Sequence, residues 1–140
     1  MKFCELTYPI CLYAGDMPMD RRTLTGKPFV GLSLNRNDSY HIRHDLLKRH
    51  DLPDDSVSLY QSEDVMEHIE FDKLVDVIND IHRILEPGGL FRMSIPDYKC
   101  DLLKARCTLD DTGNIIFDIG GGGFYDYENK KVSGGGHVWF

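Results

Sequence analysis

The chain has 140 residues, 41% of them hydrophobic and 28% charged, with a formal charge of −7 at pH 7. That length suits a single domain with its own core, and the acidic balance argues against a nucleic-acid partner, whose binder needs positive charge along its footprint. No apolar run approaches a membrane span, and the opening MKFCELTYP lacks a signal peptide's apolar core, so we expect a cytoplasmic protein with no membrane partner.

In chain order, residues 9–14 (PICLYA) form a short apolar run that breaks at Gly15-Asp16, as a first strand turning at its carboxyl end does. Residues 17–27 are polar, hold Pro18 and Gly26, and show no helical stripe, so they read as a loop. Residues 29–34 (FVGLSL) read as a second strand, closed by turn chemistry at Asn35-Arg36-Asn37-Asp38. Residues 40–43 make a weaker third strand with Asp45 beyond its end, and residues 56–61 alternate after a Pro-Asp-Asp turn as a fourth. Residues 72–86 predict a helix with Leu74, Val75, Ile78, Ile81 and Leu85 on one stripe, flanked by Val77 and Ile84. Pro87-Gly88-Gly89 ends it, and residues 90–95 follow as a fifth strand stopped by Pro96-Asp97. Strand, helix and strand with short joints form a βαβ unit, which implies parallel strands and a right-handed crossover. Such a sheet binds its ligand at the carboxyl ends of its strands, here Gln61-Ser62-Glu63-Asp64 and Pro96-Asp97.

Beyond residue 97 the pattern loosens. Residues 98–107 predict a short helix with Asp97 as N-cap, and residues 108–119 a hairpin around Asp-Thr-Gly-Asn. Glycine runs at 120–123 and 134–136 surround FYDYENKKVS and read as a mobile flap; neither clearly opens a helix, which disfavours a phosphate cradle. Phe124, Tyr125 and Tyr127 either cover a site or pack. The expected organisation is one domain, with an α/β core over 1–97 and an irregular helix, hairpin and flap over 98–140. The chain stops at His137-Val138-Trp139-Phe140, where solvated residues are the rule. Either that end docks, or the natural chain continues; we expect the second.

Cys4/Cys11 and Cys100/Cys107 are spaced too widely for the usual zinc pairs and read as reduced thiols. His41, His44, Asp45 and His50 suggest a metal cluster and, behind it, a hydrolase, but His41 and His44 alternate badly on a strand. No metal site is expected. Arg83 is expected to offset the negative end of its helix or to pair with a carboxylate. Asp64 and His68 lie four apart at an expected helix start, so an acid–base pair is one reading and helix anchoring the other. His137, in the flap region, is the third catalytic candidate.

Several stretches together resemble the class I S-adenosylmethionine-dependent methyltransferases, in particular their type 11-like branch. They are Leu52-Pro53-Asp54-Asp55-Ser56-Val57, Val65-Met66-Glu67-His68-Ile69, Ile81-His82-Arg83-Ile84-Leu85-Glu86-Pro87-Gly88-Gly89 and Ile95-Pro96-Asp97. In that family the corresponding stretches read LPDNSF, VLEHI, HRVLKPGG and VPD. The resemblance implies a Rossmann-like, doubly wound, mostly parallel sheet, S-adenosylmethionine as cofactor, and methyl transfer to a small-molecule or glycan-like acceptor. It places Gly15 against the cofactor's methionine part, Ser33 beside the ribose, and Asp45 and Leu46 around the adenine. Ser62 and Glu63 then line the floor below the sulfonium.

The chain also departs from the family. After the first strand it reads Leu12-Tyr13-Ala14-Gly15-Asp16, with one glycine and a bulky Tyr13 where members carry a glycine-rich loop. At the end of the second strand Ser33 replaces the acidic residue that grips the ribose, with Asn35 or Asp38 as possible substitutes. The chain supplies about five strands where the family's sheet has seven, so an open edge beside the fifth would invite a second copy. A catalytically inactive relative, kept for binding or assembly, is the rival expectation.

Overall fold

The computed structural model describes residues 1–22 and 26–140; the middle of the expected 17–27 loop, residues 23–25, lies outside the described residues. Contacts group the chain into two compact units, Met1–Glu63 with Val75–Ser94, and Asp64–Leu74 with Ile95–Phe140.

The first unit is built on a five-stranded parallel sheet of β1 (Ile10–Ala14), β2 (Val30–Ser33), β3 (His41–Arg43), β4 (Val57–Glu63) and β5 (Leu85–Ser94), in the order β3-β2-β1-β4-β5. The central strands β1 and β4 are buried along nearly their whole length; β1 accordingly reads as an apolar run, whereas β4, which alternates in sequence, buries its polar positions Ser58, Gln61 and Ser62 as well. Cys11, Tyr13, Met17, Phe29 and Leu59 pack as one cluster.

Helix α1 (Phe71–Ile84) connects β4 to β5. It buries Val77, Ile81 and Ile84 and leaves Val75 61% exposed, so its buried face is rotated from the expected stripe. The helix also ends earlier than predicted, and Leu85 already pairs with Val57. Pro87-Gly88-Gly89 is therefore a bulge inside β5, because Leu90 is the next residue to regain register, opposite Leu59. Gly89 is needed there: a Cβ would sit 2.8 Å from Glu86 O and 3.0 Å from Val57 O.

Polar contacts fasten α1 to the segment after β3. Asp80 accepts from the His50 backbone N–H at 2.7 Å, and its carboxylate lies 2.6 Å from His50 Nδ1. Arg83 donates to Asp80, Asp54, Leu52 O and His50 O, so it pairs with carboxylates as expected. The buried Tyr60 hydroxyl meets His50 Nε2 at 3.3 Å.

The second unit holds α2 (Asp101–Lys104) and two antiparallel hairpins, β6 (Cys107–Leu109) with β7 (Ile115–Asp118) and β8 (Phe124–Asp126) with β9 (Lys131–Ser133). Helix α2 begins after Cys100 rather than Asp97, whose carboxylate instead accepts from Lys99 N in a turn. The β6–β7 turn is organised by Asp110, which accepts from the Asn114 backbone and from Thr112 and is thereby held down at a pKa of about 2. The glycine runs pack against each other: a Cβ on Gly123 would lie 2.6 Å from Gly136 N. The terminal segment docks within this unit, with Val138 N donating to Glu67 O at 2.9 Å and Trp139 Nε1 to Ile69 O at 3.0 Å. All four cysteines are free thiols, and no described helix is long and apolar enough to cross a membrane.

Candidate functional site

The strand order reverses between β1 and β4, and parallel sheets bind ligands at the carboxyl ends beside such a reversal. Gly15 leaves β1 with φ at 86°, a conformation that glycine adopts without strain, and its N–H donates to Leu32 O at 2.8 Å. This turn carries Asp16 to the tip of β2, where its carboxylate accepts a short hydrogen bond from the Ser33 hydroxyl. Ser33 Oγ also accepts from Asn35 N at 3.1 Å and Arg36 N at 2.9 Å. The buried serine is thus committed to building the turn, and the accessible carboxylate beside it belongs to Asp16. Sequence reading passed over Asp16; its place directly after Gly15 at a strand end was the available signal.

Asp38, a suggested substitute, is occupied: it binds the His41 ring at 2.9 Å and Tyr40 N at 2.8 Å, and the His41 contact helps hold its pKa at about 2. Beyond β3, Asp45 and Leu46 are half-buried, with Asp45 accepting from Leu47 N at 3.0 Å. At the end of β4, Ser62 is fully buried and its hydroxyl has no hydrogen-bond partner among the described residues. Glu63 accepts from the Tyr13 hydroxyl at 3.1 Å, from Arg21 at 3.2 Å and from Gln61 at 3.0 Å. Gly15, Ser33, Asp45, Leu46, Ser62 and Glu63 therefore all fall at or just beyond the carboxyl ends of β1 to β4. Tyr13 is buried in the apolar cluster of the first unit, with its hydroxyl turned to Glu63.

The catalytic candidates lie in the second unit. Asp64 is exposed with φ at 52°, and residues Met66–His68 form only a 3-10 turn, so the expected four-residue helical spacing from Asp64 to His68 does not form. His68 Nδ1 instead lies 2.8 Å from Gly135 O. His137 is buried beside Tyr98, Asp118 and Glu67. Arg106 binds the fully buried Asp118 side chain through two 2.7 Å contacts, and the Tyr98 hydroxyl donates to it at 2.7 Å. Burial works to raise the Asp118 pKa, but these donors outweigh it and keep the carboxylate low. Burial pushes Glu67 up and His137 down.

No protein-family model matches the chain, and no curated protein matches its sequence. Among solved structures it is similar to an S-adenosylmethionine dependent methyltransferase from Mesorhizobium loti, with 22% identity and a TM-score of 0.51. That match covers 76% of this chain and 55% of the other, so the chain spans just over half the length of the protein it resembles. At this identity the likeness is one of fold, and with the parallel strand order it shows that the chain has a class I methyltransferase-like, Rossmann-type α/β fold.

Proposed function

We propose that the chain binds S-adenosylmethionine at the carboxyl ends of β1 to β4 and transfers its methyl group to a small-molecule or glycan-like acceptor. The observation that carries this reading is the Asp16–Ser33 pair, which brings an exposed carboxylate to the tip of β2. A carboxylate there can accept from both hydroxyls of a ribose, the contact that Ser33 cannot make because its oxygen is already used. Gly15 lets backbone approach the methionine part, Asp45 and Leu46 flank the adenine, and the unpaired Ser62 hydroxyl and Glu63 form the floor. The bound cofactor would supply an electrophilic methyl group on a sulfonium. Transfer of that group would ask the chain to hold an acceptor in line with it and to give any acceptor proton a path to a base or to water. The chain's task is therefore alignment and exclusion of water.

The committed Ser33 and the single glycine after β1 support a second reading, a methyltransferase-like protein kept for binding or assembly. Calorimetric titration with S-adenosylhomocysteine separates the two. Saturable binding is expected, weakened by about one to two powers of ten in Asp16→Asn, since a charge-assisted contact is worth roughly 1.5–3 kcal/mol. No heat at millimolar ligand would reject the enzymatic reading. An Asp16→Asn variant that binds like wild type would remove Asp16 from the ribose.

A further inference from the structure

Glu67 is a buried carboxyl group that the second unit leaves unsatisfied. Its side chain is fully buried in the Met66–His68 turn, and neither carboxylate oxygen has a hydrogen-bond partner among the described residues. His137 Nε2 stands 3.6 Å from its Oε1, beyond a good hydrogen bond. Buried carboxylates are otherwise paired, hydrogen-bonded or bound to a metal.

The two imidazoles beside it are oriented by other groups. The contact of His68 Nδ1 with Gly135 O, at 2.8 Å, fixes that ring's proton on Nδ1 and leaves Nε2 with a lone pair. Tyr98 donates its hydroxyl proton to Asp118, so its oxygen is left to accept from His137 Nδ1 in the short contact between them. His137 then also keeps its lone pair on Nε2, the nitrogen that faces Glu67. Metal-bound histidines are held in this manner, the far N–H given to a carbonyl or a carboxylate-linked group.

We propose that Glu67, His68 and His137 form a binding site for one divalent first-row transition metal, zinc in the first place. One ligand atom from each residue lies within 4.8 Å of the other two. Zinc bonds near 2.0–2.1 Å place neighbouring ligand atoms roughly 3.3 Å apart, so no pair of ligand atoms has to close by more than about 1.5 Å. The backbone already joins the two ligand segments through Val138 N to Glu67 O. Gly121 lies so close to the His137 ring that a Cβ there would stand 2.5 Å from it, which leaves the ring little room to turn away. Two imidazole nitrogens and one carboxylate suit zinc, iron or manganese, whereas magnesium and calcium favour sets made of oxygen. Three protein ligands leave a coordination position open for water or another ligand. All three residues belong to the second unit, and the inference does not depend on methyl transfer.

The test uses the full chain, stripped of metal with a chelator and titrated with zinc chloride alone by calorimetry. Wild type, His68→Ala, Glu67→Gln and His137→Ala are compared, with circular dichroism as the check on folding. The expected result is one zinc per chain, with affinity reduced at least tenfold to a hundredfold in His68→Ala. A cobalt-loaded wild type should show ligand-field absorption that His68→Ala alters. Glu67 and His137 are buried, so their variants perturb folding as well as binding; His68 is partly exposed, and its variant decides the matter by itself. No saturable zinc uptake by wild type would overturn the proposal, as would equal affinity in His68→Ala, which would put the metal elsewhere. Competition by magnesium at equal concentration would overturn the assignment of metal class.

Discussion

Asp80 offers a direct test of how the first unit is held together. Its side chain is 15% exposed, and it takes the His50 N–H at 2.7 Å, faces His50 Nδ1 at 2.6 Å and takes Arg83 Nε at 2.8 Å. Asp80→Asn keeps the shape but removes the charge and sets an amide donor against groups that themselves donate. Removing one member of a buried pair costs about 3–5 kcal/mol. Here Arg83 keeps Asp54, Leu52 O and His50 O as partners, and Asp80 is not fully buried, so about 2–3 kcal/mol is the better figure. With a urea m-value of roughly 1–3 kcal/mol/M for a small protein, the unfolding midpoint should fall by on the order of 1–2 M. The assay is urea unfolding followed by circular dichroism, repeated in His50→Gln and in the double variant. Because Asp80 and His50 act on each other, the double variant should lose about 1 kcal/mol or more less than the sum of the singles. A loss below about 0.5 kcal/mol in Asp80→Asn, or strict additivity, would refute the reasoning.

Two further outcomes follow from the same unit. Burial and the neighbouring His50 hold the His44 pKa down at about 4, against the upward pull of Asp45 and Asp80. Burial likewise keeps His50 low in spite of Asp80. The unfolded chain therefore takes up protons below about pH 6.5 while the folded imidazoles stay neutral, so stability is full above that pH and falls as pH drops toward 4. The slope is at most about 1.4 kcal/mol per pH unit per imidazole, less for the partly exposed His44. Urea midpoints that stay flat from pH 7 to 5, or a slope unchanged in His44→Gln, would contradict this assignment. Gly31→Ala should destabilise by about 1–3 kcal/mol, because the new Cβ would lie 2.4 Å from the ring of the buried His41, itself tied to Met17 N and Asp38. An unshifted midpoint in that variant would mean that His41 moves freely aside.

The strands were legible because each is a local apolar or alternating stretch between turn residues, and the parallel βαβ reading needed only their spacing around one helix. What failed were details decided by neighbours. The apolar residues of α1 fit two adjacent stripes, and the one that wins includes Val77 and Ile84 because β5 claims Leu85. Proline and two glycines end a helix in most sequences, yet here they bulge out of a strand whose partner resumes at Leu59. The glycine runs read as looseness, whereas Gly121 and Gly123 are small because His137 and Gly136 lie against them.

The candidate site shows the same division more sharply. Ser33 leaves the end of β2 without a carboxylate of its own. Across the sheet, Ala14 pairs with Leu32, so the residues just beyond them, Gly15-Asp16 and Ser33, end side by side, and a carboxylate reaches the tip of β2 from β1. A carboxylate delivered from a neighbouring strand leaves no mark in the local pattern. His68 and His137 were each singled out in the sequence, but nothing local joined them to each other or to Glu67: His137 arrives through a backbone bond between segments far apart in the chain. Chemistry assembled within one strand end can be read from a single sequence, and chemistry assembled between chain segments has to be read from the orphaned atoms it leaves, here the two oxygens of Glu67.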